Sequence, residues 1–440
     1  MLSYPKMFVL LGAAVLVVTG CSSSSKSSSA NSTSPTTAST GATVAGSATS
    51  VAGLKASAPG VSASTIKVGL ITSLTGAASS EYINLPKAAQ ARLSQANAAG
   101  GVDGRQLQLL TCDDASSPTT NTTCAQELNS KGVFGIIDES PFVFGGFRYM
   151  QQQGIPVTGG AYDGPEWGEQ PNTNMFTTTG SLDPKDPQYT QPAQLMKQNG
   201  VTTVAAFGYG VSPSSSDAAK GVAFSAKSVG LKVGYLDTSL PFGTVNVTPL
   251  ALAMKQSGVN GVSMEMDENT NFAILTAARQ AGVSFKVAIS ATGYGQPLLN
   301  DSGAVQAGQG VYFLPVAAPV ELKTPATMAM QAAFAKYAGF SGVPDFQWYE
   351  GWLGADLMIK GLQVAGNNPT RNVFINNLHQ VSNYDGGGLL GTPVSLTLAN
   401  FGKAPQTLCS WYAILKGHQF VIANGGQRVC GTLIPNSNQA

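Results

Sequence analysis

The run "IKVGLIT" at 66–72 constrains the fold more than any other feature, because the chain beyond it keeps alternating between two patterns. It reads as a strand rich in β-branched residues, and a helix is expected from about Leu85 to Ala99, with Pro86 in its first turn and Gly100–Gly101 ending it. "QLQLLTC" (106–112) reads as a strand, "TNTTCAQELNSKG" (120–132) as a helix and "VFGIID" (133–138) as a strand. A short helix before Gly154 and the strand "IPVTG" (155–159) come next. Strand–helix alternation of this kind predicts a parallel sheet with right-handed crossovers.

The pattern restarts after the Pro/Asp-rich stretch "GSLDPKDPQYTQP" (180–192). Strands are expected at 202–208, 231–237, 260–266 and 285–290, separated by helical segments in which Phe272, Leu275 and Ala278 keep a three-residue spacing. Two helix-like stretches come later, at 324–339 and 347–366, and the chain closes with hairpin-like strands at 410–417 and 418–424. A chain of 440 residues is long for one domain and accommodates two such α/β lobes plus a tail. Two similar lobes of this kind describe a protein with a cleft.

Charged residues make up only 11% of the chain, against about 25% in an average soluble protein. The formal net charge is +1, and removing residues 1–20 deletes only Lys6, which leaves 23 basic and 23 acidic side chains. No basic patch follows from this balance, and nucleic acid is excluded as an expected partner.

Residues 7–18, "MFVLLGAAVLVV", form an apolar run preceded by Lys6. It is shorter than the ~20 residues of a membrane span and fits the apolar region of a signal peptide. "VTGC" at 18–21 resembles the bacterial lipobox, in which Cys21 would be diacylated and become the new N-terminus. The alternative is an ordinary secretory signal. Residues 22–62 are rich in Ser, Thr, Ala and Gly without hydrophobic periodicity and read as a flexible tether with a mean reach of about 35 Å. Setting Cys21 aside leaves Cys112, Cys124, Cys409 and Cys430, which permit three pairings. The local one, Cys112–Cys124 with Cys409–Cys430, is the simplest, and each bond would stabilise by about 3 kcal/mol in the chain-entropy model. Four reduced thiols fit an oxidising compartment less well. A metal site is not expected, since there is no CxxC and the only histidines are His379 and His418.

"IKVGLITSLTG", followed by "NAAGGVDGRQLQLLTCDDASSP" (97–118), closely resembles the start of leucine/isoleucine/valine-type solute-binding proteins of bacterial ABC transporters. "GIPVTGGA" (154–161), "ARQAG" (278–282) and "YEGWLGADLMIKGLQVAG" (349–366) extend the resemblance to roughly 65–425. It implies a type I periplasmic-binding-protein fold: two Rossmann-like lobes with parallel central sheets, joined by three hinge crossovers and closing over a ligand. Mapped here, residues 1–20 are a lipoprotein signal peptide and 21–63 the lipidated cysteine and tether. The first lobe is 64–183 plus 318–386, and the second 184–317 plus 387–440.

In open α/β sheets ligands bind outside the carboxyl ends of the strands. Candidate ligand residues are therefore those of the strand-end loops. In the first lobe these are Ser73, Thr75, Glu81 and Tyr82, then Glu139, Ser140 and Phe142, then Gly160, Ala161 and Tyr162. In amino-acid-binding relatives, backbone N–H groups and a hydroxyl of the last two loops hold the ligand carboxylate, which places Ser140, Ala161 and Tyr162 near that role. Ser140 also suits a helix cap, and Tyr82 suits either a pocket wall or the surface. In the second lobe the candidates are Tyr209, Asp267, Glu268, Thr292 and Tyr294. Asp267, opening a helix, also suits an N-cap. Thr292 stands where amino-acid binders of this family usually place an acidic residue. An aromatic, amide-bearing or otherwise less zwitterionic solute therefore suits the chain as well as a branched-chain amino acid does.

The function expected is that of a lipid-anchored extracytoplasmic receptor, monomeric and without cofactor, that passes a small solute to the permease of an ABC importer. A ligand sensor of the same fold signalling in trans is the alternative. An exported hydrolase is the lesser one, since the chain has no GxSxG elbow, HExxH or phosphate loop.

Overall fold

The computed structural model describes residues 53–160, 165–178, 187–243, 245–435 and 437. Cys21 and most of the stretch read as a tether lie outside the described residues, as do Ala161 and Tyr162.

The first half alternates as the sequence predicts: β1 (Thr65–Thr72), α1 (Leu85–Ala98), β2 (Gln106–Asp113), α2 (Pro118–Ser130), β3 (Gly135–Asp138), α3 (Phe147–Gln152), β4 (Val157–Gly159) and β5 (Met175–Thr177). The five strands form one parallel sheet in the order β2-β1-β3-β4-β5. Proline in the first turn and a helix stop shape α1: Gly101 takes φ 79°, and its N–H returns to Ala96 O at 2.8 Å. Ser117 caps α2 and Pro118 opens it.

The second half contains α4 (Gln191–Gln198), β6 (Thr203–Tyr209), α5 (Pro213–Ser228), β7 (Lys232–Leu240), α6 (Val247–Gln256), β8 (Gly261–Glu265), α7 (Glu268–Gln280), β9 (Val287–Ser290), α8 (Gln296–Asn300), α9 (Ser302–Ala307) and β10 (Tyr312–Phe313). The chain then builds α10 (Pro325–Ala338), α11 (Phe346–Ala365) and α12 (Arg371–Leu378). Of these, α11 packs on α1 and β4 of the first half. β11 (Thr407–Ser410), β12 (Ala413–Lys416), β13 (Gln419–Ile422) and β14 (Val429–Thr432) finish the chain. The second sheet runs β13-β12-β10-β9-β8-β6-β7, parallel except where the terminal hairpin adds β12 antiparallel to β10. The chain thus passes between the two sheets' territories three times. Strands β3, β4, β6 and β9 are buried along their whole length, as parallel strands covered on both faces should be.

Both local disulfides form. Cys112 at the end of β2 joins Cys124 of α2, and Cys409 joins Cys430, its cross-strand partner in the β11–β14 ribbon. The end of the predicted tether is not slack. The guanidinium of fully buried Arg105 donates to the carbonyls of Lys55, Ser62 and Asn367, at 3.0, 2.7 and 2.5 Å. Lys55 N also reaches Asn368 Oδ1 at 3.0 Å. A cation taken out of water needs such carbonyls, and it draws residues 55–62 onto the folded body.

Candidate functional site

The carboxyl edge of the first sheet is organised by the two acids that end β2. Asp113 accepts from Thr75 Oγ1 (2.6 Å), Leu74 N (2.8 Å), Thr75 N (3.2 Å) and Ala115 N (2.8 Å). Burial pushes its carboxyl up, but the bonds from Thr75, Ala115 and Leu74 outweigh it and hold the group below the usual range. Asp114, fully buried, accepts from Ser73 Oγ at 2.7 Å, from Ser140 Oγ, from Asn121 Nδ2 at 3.2 Å and from Ser116 N at 3.0 Å. One carboxylate therefore ties the loops after β1, β2 and β3 together. Gly76 closes the first loop with φ +85°, and a β-carbon there would stand 2.5 Å from Ala115 O, so only glycine fits.

These bonds involve several predicted ligand residues. The hydroxyls of Ser73, Thr75 and Ser140 are directed to Asp114 and Asp113. Ser140 caps no helix, but its Oγ accepts from Phe142 N at 3.0 Å. Buried Glu139 accepts from Gly160 N at 2.9 Å and lies against Gly354 of α11. Tyr82 is 6% exposed and packs edge-on to Phe346 at 5.8 Å, so it does not stand on the surface.

The facing edge belongs to the second sheet. Asp267 caps α7 by accepting from Thr270 N at 3.0 Å, and its other oxygen takes the hydroxyls of Tyr209 and Thr270. Tyr209 stacks on Phe242 with ring centroids 4.1 Å apart. Thr292 donates to Met266 O at 2.7 Å. Tyr294 is buried and donates to Glu321 Oε2 at 2.5 Å.

The two edges touch. Phe142, after β3, meets Phe242, after β7, with centroids 6.5 Å apart. Glu81, after β1, accepts from the backbone N–H of Glu268 at the start of α7, at 3.3 Å. Asp345, the N-cap of α11, completes a cluster of carboxyls with Glu81, Asp267 and Glu268. Burial first, then the charges of Glu268, Asp267 and Asp345, push the Glu81 carboxyl up to about 8. Burial, then Asp345, Asp267 and Asp301, push Glu268 up to about 7, and burial pushes Asp345 up to about 6. Among the described residues the ion pairs are Arg92–Asp356, Lys131–Glu127 and Lys220–Asp217, so no base is paired with this cluster.

An unfolded chain ionises such carboxyls near their ordinary values, while the folded chain keeps their protons to about pH 7 and 8. The folded state then binds more protons in that window, so stability should fall as pH rises from about 5 to 8. Urea midpoints measured across this range should decline, and Glu81→Gln should flatten the decline. A pH-independent midpoint, or an unchanged slope in the variant, would contradict the assignment.

Of the predicted residues, the structure brings together Glu81, Phe142, Tyr209, Asp267 and Glu268, with Thr292 bonded just behind them. Sequence reasoning missed Phe242, Asp345 and Asp114. Phe242 follows β7, which runs past its expected end at 237 to Leu240, so the strand-end rule stopped short of it. The "DD" that ends β2 was visible, but its capture of two serines from other loops was not.

Two α/β layers with parallel sheets, meeting along their strand carboxyl edges and crossed three times by the chain, define the type I periplasmic-binding architecture. Residues 65–410 match the family described as Periplasmic binding protein, and the chain belongs to that family. Its fold is similar to a fatty acid ABC transporter substrate-binding protein from Thermomonospora curvata (TM-score 0.72, 20% identity, 88% of this chain and 97% of that one). It is also similar to an ABC transporter solute-binding protein from R. palustris in complex with benzoate (TM-score 0.66, 15% identity, 85% and 98%). A leucine-binding protein from Thermotoga maritima is a third (TM-score 0.66, 15% identity, 81% and 97%). No curated protein matches this chain. The family and these neighbours are binding proteins, and the family name places its members outside the cytoplasm. No helix among the described residues is long and apolar enough to cross a membrane.

Proposed function

We propose that this chain is the lipid-anchored solute-binding protein of an ABC importer, capturing a small organic solute between two lobes. The observation that carries the reading is the meeting of the two strand edges through Phe142–Phe242 and Glu81–Glu268, because each half of the contact belongs to a different sheet. Opening and closing at that contact needs no chemistry, only a solute with higher affinity for the closed form. The lobes are assigned as 64–183 plus 318–386 and 184–317 plus 387–440, with residues 1–20 removed and Cys21 lipidated. The protein acts as a monomer, delivers its solute to permease subunits, and is not an enzyme.

Calorimetric titration with a broad metabolite panel should find saturable binding of at least one solute. Small-angle scattering should show the molecule compact further when that solute is present. A panel without a heat of binding or a thermal shift would remove this reading.

A further inference from the structure

We propose that a cavity behind β8 is a second binding site, separate from the contact between the sheets, and that it takes a small primary carboxamide on an apolar body. The cavity measures about 160 Å³ and lies between the second sheet and helices α4 and α5. None of Glu81, Phe142, Phe242 and Glu268 lines it. A protein cavity of about 150 Å³ is large enough for a benzene-sized molecule.

Alternation along β8 turns Ser263 and Glu265 to the same face, and the register sets Ser263 beside Ile289 of β9. A hydroxyl, a carboxyl and an aliphatic side chain thus line one wall of the cavity. Ser263 Oγ donates to Glu265 Oε1 at 2.6 Å, the one hydrogen bond of this carboxyl among the described residues. No base answers the carboxyl, since the ion pairs among the described residues belong to Asp356, Glu127 and Asp217. Burial pushes the Glu265 carboxyl up, and the bond from Ser263 offsets only part of the rise. Its second oxygen is an open acceptor.

Tyr412, 2% exposed, lines the same cavity, and its hydroxyl accepts from Gln191 Nε2 at 2.8 Å. The hydroxyl's own proton has no acceptor among the described residues, so the phenol is an open donor. Burial raises this hydroxyl, the Gln191 bond lowers it and the Glu265 charge raises it, which sets the carboxyl and the phenol in one field.

An open acceptor and an open donor in one enclosure select a ligand that carries both. A primary amide gives an N–H to Glu265 and takes the Tyr412 proton on its carbonyl. An ammonium group would leave that proton unaccepted, and a carboxylate would meet the Glu265 charge. Val222, Leu314 and Leu408 offer apolar surface to the rest of the molecule. The cavity is also where the three passages of the chain between the sheets come together. Gln188 belongs to the first, Leu314 leaves β10 into the second, and Leu408 sits in the strand that follows the third. A bound amide touches all three and should slow local opening there.

The test titrates the folded chain with benzamide, benzylamine and benzoate, by calorimetry and ligand-observed NMR. Benzamide should bind with a Kd at or below about 1 mM, benzylamine at least about tenfold more weakly, and benzoate not detectably. Tyr412→Phe should weaken benzamide about tenfold and leave benzylamine unchanged, a split that mere loss of packing would not produce. Ala218→Trp, at an exposed position on the cavity wall, should abolish benzamide binding without moving the thermal midpoint of the free protein. With benzamide bound, hydrogen exchange should slow around residues 188–192, 314 and 408–412. Benzamide that does not bind, that binds no better than benzylamine, or that binds undiminished in both variants overturns the inference. The broad metabolite panel tests the solute-binding reading separately, and that reading stands or falls without this site.

Discussion

Replacing Gly351 by leucine is expected to leave the chain without a stable fold. Helix α11 crosses α1 at this glycine, where an added β-carbon would stand 2.5 Å from Leu85 O and 3.0 Å from Ala88 Cβ. Leu85 and Ala88 are fully buried, so neither side of the crossing has room to yield. Alanine would gain about 1 kcal/mol of helix propensity and lose about 1–3 kcal/mol to overpacking, for a small net loss. Leucine adds three more carbons to the same space, and its destabilisation should exceed about 4 kcal/mol, the range reserved for severe core defects. Urea unfolding of Gly351→Ala and soluble yield of Gly351→Leu are the measurements. A leucine variant with a native-like midpoint would mean that α11 does not pack on α1 as closely as described.

Asp114→Ala should destabilise the protein by about 4 kcal/mol, because four donors lose a buried acceptor at once. The oxygens removed serve Ser73, Ser140, Asn121 and the N–H of Ser116. Water cannot enter readily to replace them, since Ser73, Ser140 and Asn121 are themselves fully buried. The physical cause predicts a non-additive pattern. Removing the orphaned hydroxyls as well, in Asp114→Ala/Ser73→Ala/Ser140→Ala, should recover part of the loss, because a donor that is absent needs no acceptor. Solute affinity should fall in the single variant, since the loops after β1 and β3 are no longer joined. Denaturation midpoints of the single and triple variants decide it. A triple variant less stable than the single one would show that the serines contribute through something other than Asp114.

The alternation of strands and helices was legible because each element carries its own local signal. β1, β2, α1 and α11 begin and end within two residues of expectation, bounded by proline, glycine and capping side chains. β5, β10 and the β11–β14 ribbon were not legible. They are two to four residues long, too short for a periodic signal, and form because a neighbouring strand offers its edge. β7 runs to Leu240, past its expected end, accompanied by two register shifts against β6. That extension carries Phe242 to the facing edge, and it is why the residue was overlooked.

For the site, composition and motif suggested which loops matter, and Asp267 as a helix cap follows from its position before α7. The roles of the hydroxyls did not follow. Ser73, Thr75 and Ser140 are the residue types expected to hold a solute, and each is claimed by an acid distant in sequence.

Local and periodic signals along the chain were enough for the parallel α/β layers and the helix limits. Folding in three dimensions was needed to bring Phe142 onto Phe242, to set Glu81 against Glu268 without a base between them, and to give the serine protons to Asp114. Each of these depends on how two sheets and their edge loops approach in space. Hydrogen bonding and charge act over a few ångströms, irrespective of the 187 positions that separate Glu81 from Glu268 along the chain.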